Sequence, residues 1–371
     1  MRIAQVAPLY EAVPPAGYGG TERVVSYLTE ELVRMGLEVT LFASGDSITA
    51  AELEPASPRA IRLAPEPLDP LVWHSLQLGK VARRVEEFDV LHFHTDFLHY
   101  PFSRQLGQRC LTTLHGRLDL PDLAPLYREF SDIPVISISN AQRAPLPWAN
   151  WQATIYHGLP DDLFEPSFEP GSYLAFLGRL SPEKRPDWAI EIARRAGRDL
   201  RMAAKIDPAD RAYYESTVAS LLEQPHVEMV GEVGQAEKGP FLAGASALIF
   251  PVDWPEPFGL VMIEALACGT PVIAFRRGSI EEVIEDGVTG FVVDTLAQAV
   301  EAAGRIGEID RRRCRREFTE RFSARRMAAE YVALYERMIE SSASGWVDER
   351  RGSYPASTPL AASDDRDRAP D

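Results

Sequence analysis

Short apolar segments alternate with amphipathic ones along most of this 371-residue chain, and the alternation runs twice. In the first run, strands are predicted at residues 3–7, 38–43, 90–94, 110–115 and 134–139, with helices at 21–35 and 71–87. Residues 158–172 then turn to Gly, Pro, Asp and Phe without a period, which reads as a linker. The pattern restarts with strands at 173–177, 200–206, 226–230, 247–250 and 271–275, and helices at 185–196 and 209–223. Strands that follow one another through helices form parallel sheets covered on both faces. The chain is therefore expected to be α/β, with two doubly wound, Rossmann-like parallel-sheet domains. The expected division is 1–160, 161–323, a closing helix over 324–341 and a tail from 342 to 371. That tail is rich in Ser, Pro, Ala and Asp, could build no core, and is expected to be disordered.

Residues 254–273 carry the most chemistry. Glu256 and Glu264 bracket an apolar run that reads as the start of a helix. Pro257 biases Glu256 toward extended backbone, and a helix opening near Gly259 leaves N–H groups free at its first turn. Gly269-Thr270-Pro271 ends the helix before the next strand. Were the whole interval helical, the carboxylates would stand roughly 12 Å apart along the axis. That is too far for an acid/base dyad, but it suits the two ends of an extended ligand joined through phosphates. A carboxylate accepts from sugar hydroxyls while a helix terminus takes phosphate.

Ligands in open α/β sheets lie beyond the carboxyl ends of the strands, and polar residues gather there. Tyr18-Gly19-Gly20-Thr21-Glu22 forms a flexible loop entering a helix, without the G-x-G-x-x-G spacing of a dinucleotide site. His92 and His94 share one strand face. No third ligand has matching spacing, so they read as buried, hydrogen-bonded imidazoles rather than a metal pair. His115-Gly116 ends another strand. In the second half, Arg179 follows a strand and Lys184 lies five residues on, so both can aim charge at one pyrophosphate. Singly, each of these side chains reads as ordinary solvated or core polarity; together they describe a cleft.

The formal charge of −16 argues against a nucleic-acid partner. Through residue 165 there are 13 Lys and Arg against 21 Asp and Glu, so no basic face for anionic lipid stands out. The run Arg311-Arg312-Arg313-Cys314-Arg315-Arg316 reads as the solvated face of a helix. Cys110, Cys268 and Cys314 are scattered and lack C-x-x-C spacing, which suits a reducing cytoplasm and no structural zinc. No segment has membrane-spanning length, and the N-terminus is too brief in its apolar run for a signal peptide.

The 254–273 stretch resembles the E-x7-E signature of retaining glycosyltransferases of family 4, which have the GT-B fold, and the likeness extends to about residue 340. The resemblance implies a transfer of sugar from a nucleoside-diphosphate sugar to an acceptor hydroxyl, retaining and metal-independent, with no cofactor. By carry-over, Arg179 and Lys184 clamp the leaving diphosphate, Glu256 contacts the transferred sugar and Glu264 the ribose hydroxyls. Backbone groups of Phe258, Gly259, Leu260 and Val261 meet sugar and phosphate, and Gly19 and Gly20 lie over the diphosphate. His115 hydrogen-bonds a sugar hydroxyl and steadies developing positive charge, while His94 and Asp96 are candidates for acceptor contacts. Lys205 departs from the glycine-rich run that many members carry, and His157-Gly158 stands where many have Asn-Gly, a variation expected to lack chemical consequence. Two alternatives share the pattern: a nucleotide-sugar 2-epimerase of the same architecture, and a non-catalytic nucleotide-sugar-binding protein. The donor base, the sugar and the acceptor are not legible.

Overall fold

A computed structural model describes residues 1–106 and 109–343. The tail expected beyond the closing helix lies outside the described residues. The first domain is a seven-stranded sheet: β1 (Arg2–Val6), β2 (Glu38–Ser44), β3 (Glu52–Ser57), β4 (Val90–Phe93), β5 (Cys110–Thr113), β6 (Val135–Ser137) and β7 (Trp151–Thr154), in the order β3-β2-β1-β4-β5-β6-β7. The second is six-stranded: β8 (Tyr173–Arg179), β9 (Leu200–Lys205), β10 (Val227–Gly231), β11 (Ala245–Phe250), β12 (Val272–Phe275) and β13 (Gly290–Val293), in the order β10-β9-β8-β11-β12-β13. Every strand pairing in both sheets is parallel. Central strands are buried on both faces, as in β4 and β11, because helices cover each side. In each sheet the order reverses beside the first strand, β1 or β8, and a crevice opens there at the carboxyl ends.

Three strands escaped the periodicity. β3 reads Glu-Leu-Glu-Pro-Ala-Ser and β7 Trp-Gln-Ala-Thr, both edge strands with one side to solvent, so neither needs an apolar run. β13 is apolar but only four residues long. The helix expected over 209–223 is corrected: the segment winds through 3-10 turns, three α-helical residues and a π turn at Tyr214–Val218.

The arginine run is also corrected. Arg311, at the start of the Arg311–Arg321 helix, is buried and gives hydrogen bonds to the carbonyls of Ser167, Ala243 and Ala245 and to Thr270 Oγ1. Arg315 likewise donates to the carbonyls of Ala267 and Asp161. A guanidinium carries five donors, so it satisfies several loop carbonyls at once without a carboxylate. The arginines staple the linker to the second domain.

The chain passes between domains twice, and the crossings run side by side. Leu159 N–H donates to Phe322 O at 2.9 Å, and Ala324 N–H donates to Leu159 O at 2.7 Å. Gly158 has no room for a Cβ there, which would stand 2.3 Å from Ser323 O. The closing helix, Ala324–Ala343, then packs on the Gly20–Arg34 helix of the first domain. Its Tyr331 and Tyr335 are fully buried, and their hydroxyls reach Thr113 and His92 of the first sheet.

Candidate active site

Between the domains lies a cleft of about 660 Å³, walled by the carboxyl ends of both sheets. The residues expected at the donor and acceptor sites line it: Gly19, Gly20, His94, Asp96 and His115 from the first domain, and Arg179, Lys184, Glu256, Phe258, Gly259, Leu260, Val261 and Glu264 from the second. His92 does not reach the cleft. It sits behind His94 with ring centroids 4.1 Å apart, bonded to Tyr335 Oη and Thr113 Oγ1.

The second-domain wall is built from paired charges. The loop after β11 carries Glu256, whose carboxylate accepts from Lys184 Nζ at 2.5 Å and from Trp254 Nε1 at 2.8 Å. Lys184 also lies over the Trp254 ring, 5.0 Å from its centroid. Glu264, one turn into the Leu260–Ala267 helix, accepts from Lys238 Nζ at 2.7 Å. Arg179 reaches Glu183 at 2.7 Å and Asp210 at 3.2 Å, while its buried Nε has no partner among the described residues. Lys205, beside Arg179 in the β8–β9 register, lines the cleft with no carboxylate partner among the described residues. The helix begins at Gly259, whose φ of 82° is left-handed and favours glycine. Its first N–H groups face the cleft unpaired by the helix. Phe258 presents little but backbone, since its ring is buried and its carbonyl accepts from Ser279 Oγ.

The first-domain wall is a hydrogen-bonded imidazole chain. Gln5 donates Nε2 to Tyr335 Oη at 3.2 Å, which turns its Oε1 toward His94 Nε2 at 2.8 Å. His94 therefore carries its proton on Nε2 and presents a bare Nδ1, to which His115 Nε2 donates at 2.9 Å. Burial holds His94 well below the usual imidazole range and lowers His115 to about 3, so both are neutral. His115 Nδ1 is then a lone pair, buried and without a protein partner. His157 stacks on His115 with centroids 5.2 Å apart and packs edge-on against Phe258. The expectation that His157 lacks consequence is corrected: it lines the cleft and supports the His115 ring.

Comparison with known proteins settles the family. The Glycosyltransferase Family 4 model matches residues 18–153, and the Glycosyl transferases group 1 model matches residues 163–323. The chain belongs to the family 4 glycosyltransferases. It is 26% identical over 331 residues to a D-inositol 3-phosphate glycosyltransferase of Arthrobacter sp. strain FB24, covering 74% of this chain and 78% of that protein. Sucrose-phosphate synthase from Thermosynechococcus elongatus shares the fold at a TM-score of 0.74 and 20% identity, over 92% of this chain and 99% of that one. So does an Anabaena protein, HepE, solved with UDP and glucose, at a TM-score of 0.67 and 19% identity, over 93% of this chain and 100% of that one.

Sequence reasoning missed several residues of this glycosyltransferase that build the cleft. Trp254 stands two residues before Glu256, a proximity that signals a partner. Lys238, Gln5 and Tyr335 left no such signal, because the fold alone brings them to their carboxylate or imidazole.

Proposed function

We propose that this glycosyltransferase moves a glycosyl group from a nucleoside-diphosphate sugar to an acceptor hydroxyl, with retention at the anomeric carbon and without a metal ion, inside a reducing cytoplasm. The observation that carries the reading is the placement of Arg179 and Lys184 in the same cleft as the Glu256–Glu264 segment. Cleaving the bond between anomeric carbon and diphosphate leaves negative charge on the phosphate oxygens. Arg179, Lys184 and the free N–H groups of the Leu260–Ala267 helix supply a preorganised field for that charge, which is the service a metal ion performs elsewhere. Lys184 is held by Glu256 until the diphosphate arrives, so its charge is already aimed.

Glu264 receives the ribose hydroxyls and Glu256 the transferred sugar, while Gly19 and Gly20 cover the diphosphate. His115, with its bare Nδ1, accepts from a sugar hydroxyl, and a neutral imidazole adds no positive charge beside the oxocarbenium-like carbon. The acceptor hydroxyl attacks from the face the diphosphate leaves, and a phosphate oxygen takes its proton. His94 and Asp96 lie on the acceptor side. The fold's occurrence with UDP and glucose in the Anabaena protein supports a nucleotide-sugar donor. Screening uridine, guanosine and adenosine diphosphate sugars, then reading the anomeric configuration of the product by NMR, tests the proposal. An inverted product would remove retention, and no stabilising diphosphate in a thermal-shift screen would remove the donor reading.

A further inference from the structure

The two walls of the cleft differ in their free charge. Among the described residues, Arg23 and Arg62 alone bring positive charge to the first-domain wall, and both are engaged. Arg62 reaches Glu11 at 3.3 Å. Arg23 donates to the carbonyls of Gly17 and Pro15 and to Gln235 Oε1 across the cleft. Two carboxylates on that wall, Glu22 and Asp96, have no Lys or Arg within ion-pair distance among the described residues. Glu22 is only 5% exposed, in the first turn of the Gly20–Arg34 helix. Asp96 is held at a φ of 50° just past β4 and lines the cleft. Thr95, next to Asp96 in the chain and also 5% exposed, has a hydroxyl without a partner among the described residues. Burial raises the carboxyls of both Glu22 and Asp96, that of Asp96 to about 6. The neighbouring His94, His115 and His157 are neutral and offset none of this charge.

An ionised carboxylate only accepts hydrogen bonds. A ligand against this wall must bring donors, and a phosphate or carboxylate would meet like charge with no free cation on the wall itself. On the donor reading above, Arg179 and Lys184 are occupied by the diphosphate, and Lys205, registered with Arg179 across β8 and β9, stands on that donor side of the cleft. We propose that the acceptor is a polyol bearing no anionic group, whose hydroxyl or amine donors are received by Glu22 and Asp96. Thr95 Oγ1 adds one adaptable contact beside them.

Isothermal titration on the full chain tests this, with saturating nucleoside diphosphate present and three matched probes: myo-inositol, a myo-inositol monophosphate and an aminocyclitol. The neutral and amine probes are expected to bind at least tenfold more tightly than the phosphate, as like-charge placement at an interface requires. In the Glu22→Gln/Asp96→Asn variant, checked by its melting curve to be folded, that preference should shrink at least tenfold. Tighter binding of the phosphate, an unchanged ratio in the variant, or binding of none of the three would overturn the proposal. Diphosphate binding is read in the same experiment. Its failure would sink the donor reading separately, while the ratio between probes would still decide the acceptor.

Discussion

The two walls of the cleft solve opposite electrostatic problems. The second-domain wall stores charge: Lys184 with Glu256, Lys238 with Glu264, and Arg179 with Glu183 and Asp210. The first-domain wall removes it, keeping four histidines neutral by burial and tying them through Gln5, Thr113, Tyr331 and Tyr335 to the core. Stored pairs cost desolvation, which ready-made partners offset. A ligand phosphate can exchange for the carboxylate without the cation having to reorganise. The neutral chain instead fixes the direction of one lone pair, at His115 Nδ1. The lesson is that charge belongs where charge develops in the reaction, and neutrality where the cation-like sugar passes.

If the second wall is the charge store, Arg179→Ala and Lys184→Ala should each lower turnover by roughly two to three orders of magnitude, the usual scale for one such group. Steady-state kinetics with the matched donor checks this, and unchanged turnover in both would dissolve the contrast between the walls.

Acid should strike the first wall. His99 and His115 are lowered by burial to about 3, so the folded chain leaves them neutral while the unfolded chain protonates them below about 6.5. The unfolded state then binds more protons, and stability falls as pH drops from 6.5 toward 3. For each imidazole the loss at pH 4.5 is on the order of 2.5 kcal/mol. Asp96, raised to about 6, and Glu22, raised by burial, act in the opposite direction, since each gains its proton earlier in the folded state, but they are two groups against five lowered imidazoles. Hydrogen exchange at pH 4.5 should open the first domain before the second; simultaneous opening would count against the assignment of acid sensitivity to this wall.

Glu264→Ala should weaken nucleoside-diphosphate binding about tenfold or somewhat more, the scale of a charged hydrogen bond, as read by calorimetry. Equal affinity would remove Glu264 from the ribose. The smallest effect is expected from Gln5, which orients His94 without touching ligand. Gln5→Leu should lower kcat several-fold with KM for the donor nearly unchanged, and Gln5→Glu, which still accepts from His94 Nε2, should restore most of it. A loss in KM alone would make Gln5 merely structural.

The fold was legible wherever burial on both faces forced an apolar strand, as at Val90–Phe93 and Ala245–Phe250. It was illegible at Glu52–Ser57 and Trp151–Thr154, because an edge strand is held by backbone pairing and need not be apolar. The cleft residues that follow a strand or open a helix, Arg179, His115 and Gly259 among them, could be placed from local sequence. Residues whose role depends on a distant partner could not. Arg311 looked solvated because nothing local marks the carbonyls of Ala243 and Ala245 as its acceptors. Nothing in the local sequence marks Gln5, because Tyr335, 330 positions away, gives its amide its direction.

The most direct test is a crystal structure of the full chain soaked with its nucleoside diphosphate. The diphosphate oxygens should lie within hydrogen-bonding distance of Arg179 and Lys184, with Glu256 released from the lysine toward the sugar position and the ribose on Glu264. A diphosphate bound elsewhere, with the Lys184–Glu256 pair still closed, would contradict it.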